Sequence, residues 1–328
     1  MRSTPDLKRW LTAEHINRLA ADPAHCTRND LHLEIDSRRP FVPENYTQLY
    51  YTPVYASLGF EHRLRYNQLF GLRINEYIMM LEADLVERLL TPLLRQPGIA
   101  ADAALTQAMM TMIEEERRHF EGFAALNRAC RPDLYPPGED RLFSRLPGWT
   151  KAMFGIIGAL AGRLSFALWY LMAMEESSMA LARDMARRPE TETLGMLDPG
   201  FVSVHREHMK DEARHLHIDA RMIESCIGSR TKAGRGLNAW LFQSMLGGVT
   251  RLTRSGSGVM VVRQLVRDMP ELAPREEEMI QALLTLTRCR LFQESLFNRR
   301  IMPKAFSVFD NTPELARLGE KMVGYDRR

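Results

Sequence analysis

Apolar positions recur at helical spacing over most of the chain, while the two-residue alternation of half-buried strands is scarce. Proline and glycine punctuate the pattern. The spacing predicts a short helix near residues 6–20, inside an irregular stretch that runs on to FVPEN. It predicts long helices over about 60–91, stopped by Pro92, and over 101–130, stopped by Pro132. The connector DLYPPGEDRLFSRLPG leads to a third helix over 150–188 and a fourth over 199–227. Asp198-Pro199 supplies the fourth with a capping carboxylate and a first-turn proline, and Gly228 closes it. Beyond SRTKAGRG the pattern gives helices near 236–253, 257–269 and 274–297, then a short tail. The expected architecture is all-α in one domain, with a four-helix core over about 60–228 and a helical extension over about 232–328.

The run MFGIIGALAGRLSFALWYLMA, 153–173, has the length of a membrane span. Arg163 interrupts it, however, and Glu175 and Glu176 follow directly. A helix apolar on nearly every side also suits the centre of a large bundle, so no membrane is expected. Composition adds little. Hydrophobic content of 45% and charged content of 26% describe an ordinary globular protein. A net charge of +3, with no basic run interleaved with aromatics, gives no reason to expect nucleic acid. Cys26, Cys130, Cys226 and Cys289 are scattered without a CxxC pair and read as reduced thiols of a cytoplasmic protein. MRSTPDLKRW has no apolar segment of the secretory kind.

The chemistry lies in two polar stretches on long helices. In HMKDEARHLH, 208–217, the spacing of four and three puts His208, Glu212 and His215 on one helical stripe and sends His217 elsewhere. In MIEEERRHFEGF, 112–123, Glu116 and His119 form a second ExxH pair. One ExxH arises readily by chance, so placement has to carry the case. Each pair is preceded by a helix with a carboxylate on an apolar stripe. Glu82 lies among Ile78, Met79, Leu85, Val86 and Leu89. Glu175 lies among Leu168, Leu171, Met172 and Met179, while Glu176 shares two methionines but also faces Arg183. A carboxylate in such surroundings is costly unless something pairs with it. Glu82 precedes Glu116 by 34 residues and Glu176 precedes Glu212 by 36, so the chain repeats carboxylate and then ExxH. One Glu from each of two helices with ExxH from the other two is the ligand pattern of dinuclear carboxylate bundles. Four carboxylates offset four positive charges in a low-dielectric core, and imidazole suits iron.

The set Glu82, Glu116, His119, Glu175 or Glu176, Glu212 and His215 resembles the ferritin-like diiron proteins. His208, four residues before Glu212 in HMKDEARH, is similar to the third histidine ligand of the p-aminobenzoate N-oxygenase family. HRLRYNQLFGLRINEYIMMLE also resembles that family's first ligand helix, and the likeness covers about residues 45–230. The resemblance implies one iron held by Glu82, Glu116 and His119. It implies a second held by the third-helix glutamate, His208, Glu212 and His215, with a carboxylate bridging the two. Spacing favours Glu176 and the apolar stripe favours Glu175. Asp211 and Glu115 are candidates to hydrogen-bond ligand imidazoles, and His205 continues the stripe one turn earlier. The family implies dioxygen as co-substrate, an external electron donor, and an arylamine taken through hydroxylamine to nitro. Competing expectations are a diiron hydroxylase or desaturase acting on carbon, a ferritin-like iron-binding protein, and a metal-free helical scaffold. A homodimer is expected, with MLGGVTRL and GVMVVRQLV as faces that pair copies or close the chain's own core.

Overall fold

The computed structural model describes residues 10–28, 33–145, 148–228 and 230–326. No strand ladder forms among them; one isolated bridge joins Glu190 and Met196. The longer helices are α1 (Ala13–Ala20), α2 (Phe60–Met80), α3 (Ala103–Cys130), α4 (Gly148–Ala159), α5 (Ala167–Arg187) and α6 (Pro199–Ile223). Then follow α7 (Lys232–Val249), α8 (Ser257–Asp268), α9 (Glu276–Thr285), α10 (Arg290–Leu296) and α11 (Pro303–Asp310).

Helices α2, α3, α5 and α6 form the four-helix core: α5 packs along α6, and α3 packs against both α2 and α6. The capping acids act as their positions require. Asp198 Oδ1 accepts from Phe201 N at 2.6 Å, and Asp102 Oδ1 accepts from Leu105 N at 2.9 Å.

Three expectations change in detail. The first long helix passes through a π-helical turn at Leu81–Val86 and resumes as Glu87–Leu93, with Pro92 inside its last turn. Glu82 stands in that turn, and such turns commonly mark functional positions. The apolar run is two helices, α4 and α5, with a break over 160–166. No described helix is long and apolar enough to cross a membrane. The packing explains the break: Gly158 brings α4 onto the backbone of the first long helix, where an added Cβ would meet Arg88 O at 2.5 Å. The expected helix over 274–297 is α9 and α10 separated by a 3₁₀ turn, and the tail carries α11. Of the helix expected from residue 6, the part before residue 10 lies outside the described residues, as do the side chains of Leu85 and Val86.

Apolar packing falls into two clusters. Tyr66–Met79 of α2, Phe123–Leu126 of α3 and Phe201–Val204 of α6 contribute to one, while Leu105–Ile113 of α3 and Leu216–Ile223 of α6 contribute to the other. Glu82, Glu116, His119, His208, Glu212 and His215 therefore fall at the seam. The C-terminal helices complete both clusters. Val259, Val261, Val262 and Leu265 of GVMVVRQLV are buried beside α2, so that face closes the chain's own core.

Candidate metal centre

Every residue singled out for the site is buried, which solvated helix faces would not be. His119 and His215 both turn Nδ1 inward. His215 Nδ1 lies 3.1 Å from Glu116 Oε1 and 3.4 Å from Glu212 Oε1. His119 Nδ1 lies 3.5 Å from Glu116 Oε2, 3.5 Å from Glu212 Oε1 and 3.8 Å from Glu82 Oε1. His208 Nε2 lies 2.9 Å from Glu212 Oε1 and 3.2 Å from Glu82 Oε1. Glu116 and Glu212 occupy the middle.

Among the described residues three groups have ligand atoms close enough to share an ion: Glu82, His119 and His208; Glu116, Glu212 and His215; and, behind the imidazoles, Cys26, Glu115 and Asp211. His208 thus stands with Glu82 and His119, whereas the resemblance grouped it with His215. Seven residues separate the two histidines, about 10 Å of helix rise, so they straddle Glu212.

The two adjacent third-helix glutamates point in different directions. Glu176 Oε1 and Oε2 accept from Lys304 N at 2.9 Å and Ala305 N at 2.7 Å, so Glu176 caps α11 and is turned from the cluster. Glu175 faces it: neither carboxylate oxygen has a hydrogen-bond partner, and its charged neighbours are Asp219, Glu212, His215 and Glu116.

The outward nitrogens of the ExxH histidines cross to the opposite helix. His119 Nε2 pairs with Asp211 Oδ2 at 2.9 Å, and His215 Nε2 pairs with Glu115 Oε2 at 2.9 Å. Arg214 ties the two acids together, donating from Nη2 to Asp211 Oδ1 at 2.7 Å and to Glu115 Oε1 at 2.5 Å. Thr27 N also donates to Asp211 Oδ1, at 3.1 Å. Asp211 and Glu115 are therefore buried partners of imidazoles rather than surface acids. His205 bonds through Nε2 to Asn75 Oδ1 at 3.0 Å, outside the cluster. His217, the expected bystander, accepts from Leu11 N at 3.2 Å and packs edge-on to Trp10.

Electrostatics divides the carboxylates. Burial pushes Glu82 up to about 7. Burial and the neighbouring charges of Asp219 and Glu212 hold Glu175 well above the carboxylate range. Glu212 is held below that range, because His208 and His215 overcome its burial. Burial also opposes charge on His119, yet the Asp211 hydrogen bond and the charges of Glu116 and Glu82 raise it to about 10.

The donor set fits a pair of metal ions. Both oxygens of Glu82 and Glu175, Glu212 Oε2, and the inward nitrogens of His119, His208 and His215 are buried without hydrogen-bond partners. Unsatisfied polar atoms in a core are costly, and here they converge. Asp219 adds two more such oxygens and is pushed by burial up to about 8. Sequence reading missed it, although it extends the stripe His208, Glu212, His215 by four residues.

A cavity of about 270 Å³ opens on Glu82, Glu116, Glu175, His208 and Glu212. Ile78, Leu81, Leu171 and Met174 line it beside the acids, and Phe292, Leu296 and Phe297 close it from the C-terminal helices.

An all-α core with two ExxH helices, two carboxylate helices and a shared buried seam defines a ferritin-like bundle whose Glu and His clusters could hold metal. Within that class the chain belongs to the family described as p-aminobenzoate N-oxygenase AurF, whose sequence model matches residues 14–257. The match extends past both ends of the expected 45–230, from α1 to the start of α8. No curated protein matches the chain.

Proposed function

We propose that this protein is a diiron oxygenase that transfers oxygen from dioxygen to the nitrogen of an arylamine or related amine. The observation that carries this reading is His208, a third buried imidazole whose Nε2 faces Glu82 and Glu212 and which lines a largely apolar cavity. Glu82, His119 and His208 would hold one iron and Glu175 and His215 the other, with Glu116 and Glu212 between. Bound there, the iron pair would supply dioxygen activation. The first insertion takes R–NH₂, O₂, two electrons from an external donor and two protons to R–NHOH and water; R–NHOH and a second O₂ balance to R–NO₂ and water.

The chain's own residues supply position and shelter. Asp211 and Glu115 fix the rings of His119 and His215, which sets ligand orientation and basicity. Leu81, Leu171 and Met174 exclude water beside the cluster. The added imidazole would change the coordination and electron density of one iron and so favour attack on an amine lone pair over a C–H bond. The C-terminal helices furnish part of the cavity wall, which supports an enzyme of one domain over an iron-storage bundle. The scattered free thiols fit a reducing cytoplasm. A homodimer belongs to the proposal too, with exposed Trp240 and Leu237 of α7 as its candidate contact.

Metal analysis of protein from iron-supplemented culture is expected to give two irons per chain. With an arylamine, dioxygen and a reductant, hydroxylamine and nitro products are expected. Replacement of His208 by alanine is expected to change or abolish them with the fold intact. Ring or side-chain hydroxylation by the wild-type protein would sink the N-oxygenase reading, and well under one metal per chain after anaerobic ferrous loading would sink the diiron reading.

A further inference from the structure

At the far end of the same cavity stands Arg73, on α2. Its Nε donates to Ser257 Oγ at 2.8 Å, and its guanidinium carbon lies 4.8 Å from the centre of the Phe70 ring. Among the described residues no carboxylate forms an ion pair with it, and its two terminal amino groups have no hydrogen-bond partner. Glu76, one turn away, is committed elsewhere: it accepts from Tyr135 Oη at 2.7 Å and from the backbone of Leu142, Phe143 and Ser144. Arg73 is partly buried, and burial works against its charge more than the nearby Tyr77, Tyr66 and Glu76 support it, so the fold holds there a cation without a paired anion. Gln48 lines the same end, and its Oε1 is buried without a partner. Turned by half, that amide presents its NH₂ to an anion.

Nine residues separate Arg73 from Glu82, about 13 Å of helix rise. Ile74, Tyr77, Ile78 and Leu81 line the cavity between them, so the path from the cation to the acids is mostly apolar. A planar guanidinium with two free N–H donors matches a carboxylate in a two-point contact.

We propose that Arg73 is a specificity-determining residue that binds an anionic group, in the first place a carboxylate, at the end of a substrate remote from its nitrogen. The separation calls for roughly 10 Å between acid and amine. One benzene ring is too short for that, whereas two linked rings or a ring with an extended acid arm suffice. This inference rests on the amine-oxidising reading only for what lies at the other end; the anion subsite stands on Arg73 and its cavity.

The test is equilibrium binding to metal-loaded protein by calorimetry. The probes are 4′-aminobiphenyl-4-carboxylate, its neutral carboxamide, biphenyl-4-carboxylate without the amine, and 4-aminobenzoate. Wild-type protein is expected to bind the long acid at least tenfold more tightly than the carboxamide. The preference should fall below twofold in R73Q and return in part in R73K, which keeps the charge and guards against a misfolded first variant. The amine-free acid should show the same dependence on Arg73, and 4-aminobenzoate should show none. Equal binding of acid and carboxamide by wild-type protein, or a preference that survives R73Q, overturns the proposal. Loss of 4-aminobenzoate binding in R73Q overturns the long reach. Oxidation of neutral amines with no acid preference defeats this inference alone. Arg73-dependent binding of the amine-free acid, with no amine oxidised, defeats the proposed function and leaves this inference standing.

Discussion

Arg214 offers the sharpest test of how the site is held. Its side chain is 4% exposed and bridges two carboxylates that are themselves buried, Asp211 at 0% and Glu115 at 2%. Replacing it by methionine keeps the volume and leaves both acids without their cation. Removing one partner of a buried pair costs about 3–5 kcal/mol. Arg118, whose Nη2 lies 3.7 Å from Glu115 Oε1, keeps part of the compensation, so the lower end applies, about 3 kcal/mol. Unfolding entropy near 2.1 cal/mol/K per residue gives about 0.7 kcal/mol/K for 328 residues. The metal-free R214M variant should therefore melt about 4 °C below metal-free wild type. Because Asp211 and Glu115 orient His119 and His215, iron affinity measured against a competing chelator should fall about 10–100-fold. R214K, which keeps the charge but loses the fork, should fall between. An R214M protein that melts within 1 °C of wild type and retains iron equally would refute the clamp.

The two adjacent glutamates should separate cleanly. E175Q is expected to lower bound metal to near one per chain, whereas E176Q keeps two and loses about 1–2 kcal/mol in urea unfolding, through the weakened cap of α11. Three backbone N–H groups at 142–144 depend on Glu76, so E76Q should cost about 2–3 kcal/mol and expose that connector to protease; unchanged cleavage would count against it. Burial lowers His205 to about 3, well below its unfolded value near 6.5. The fold thus holds it neutral while the unfolded chain takes a proton, so its contribution is complete above pH 6.5 and is lost as pH falls towards 3. H205Q, which can keep the bond to Asn75, should show a shallower loss of stability between pH 6.5 and 4; parallel curves for the two proteins would contradict this.

Helix periodicity located the long helices because their apolar stripes are continuous. It failed where helices meet one another, since contact of Gly158 with the Arg88 backbone, which helps split the apolar run, has no local signal. The convergence of Glu82, Glu116, His119, His208, Glu212 and His215 was legible because groups that meet between helices sit at helical spacing on facing stripes. Glu175 and Glu176 could not be separated by spacing, since what decides them is the N-terminus of α11, more than a hundred residues on. Arg73 and Phe292 were invisible as cavity residues for the same reason: they meet only in the fold.

The two ExxH copies turn out to be copies of a longer unit, acid-Glu-x-Arg-His, at Glu115–His119 and Asp211–His215. The acid of each serves the histidine of the other, so neither helix can hold its imidazole in place alone. The symmetry stops there. Arg214 is buried in the clamp, while its counterpart Arg118 has a side chain 45% exposed. Where α6 carries His208 and Asp219, α3 has Met112 and Phe123, both buried. Phe123 packs 5.0 Å from His208, ring centre to ring centre, so the apolar member of one copy walls the extra imidazole of the other. The Glu82 side thus gains an imidazole and the Glu175 side a second carboxyl group. Two half-sites built from one repeated motif are thereby made unequal, and the cavity leading to Arg73 meets both, through Glu82 and His208 on one side and Glu175 on the other.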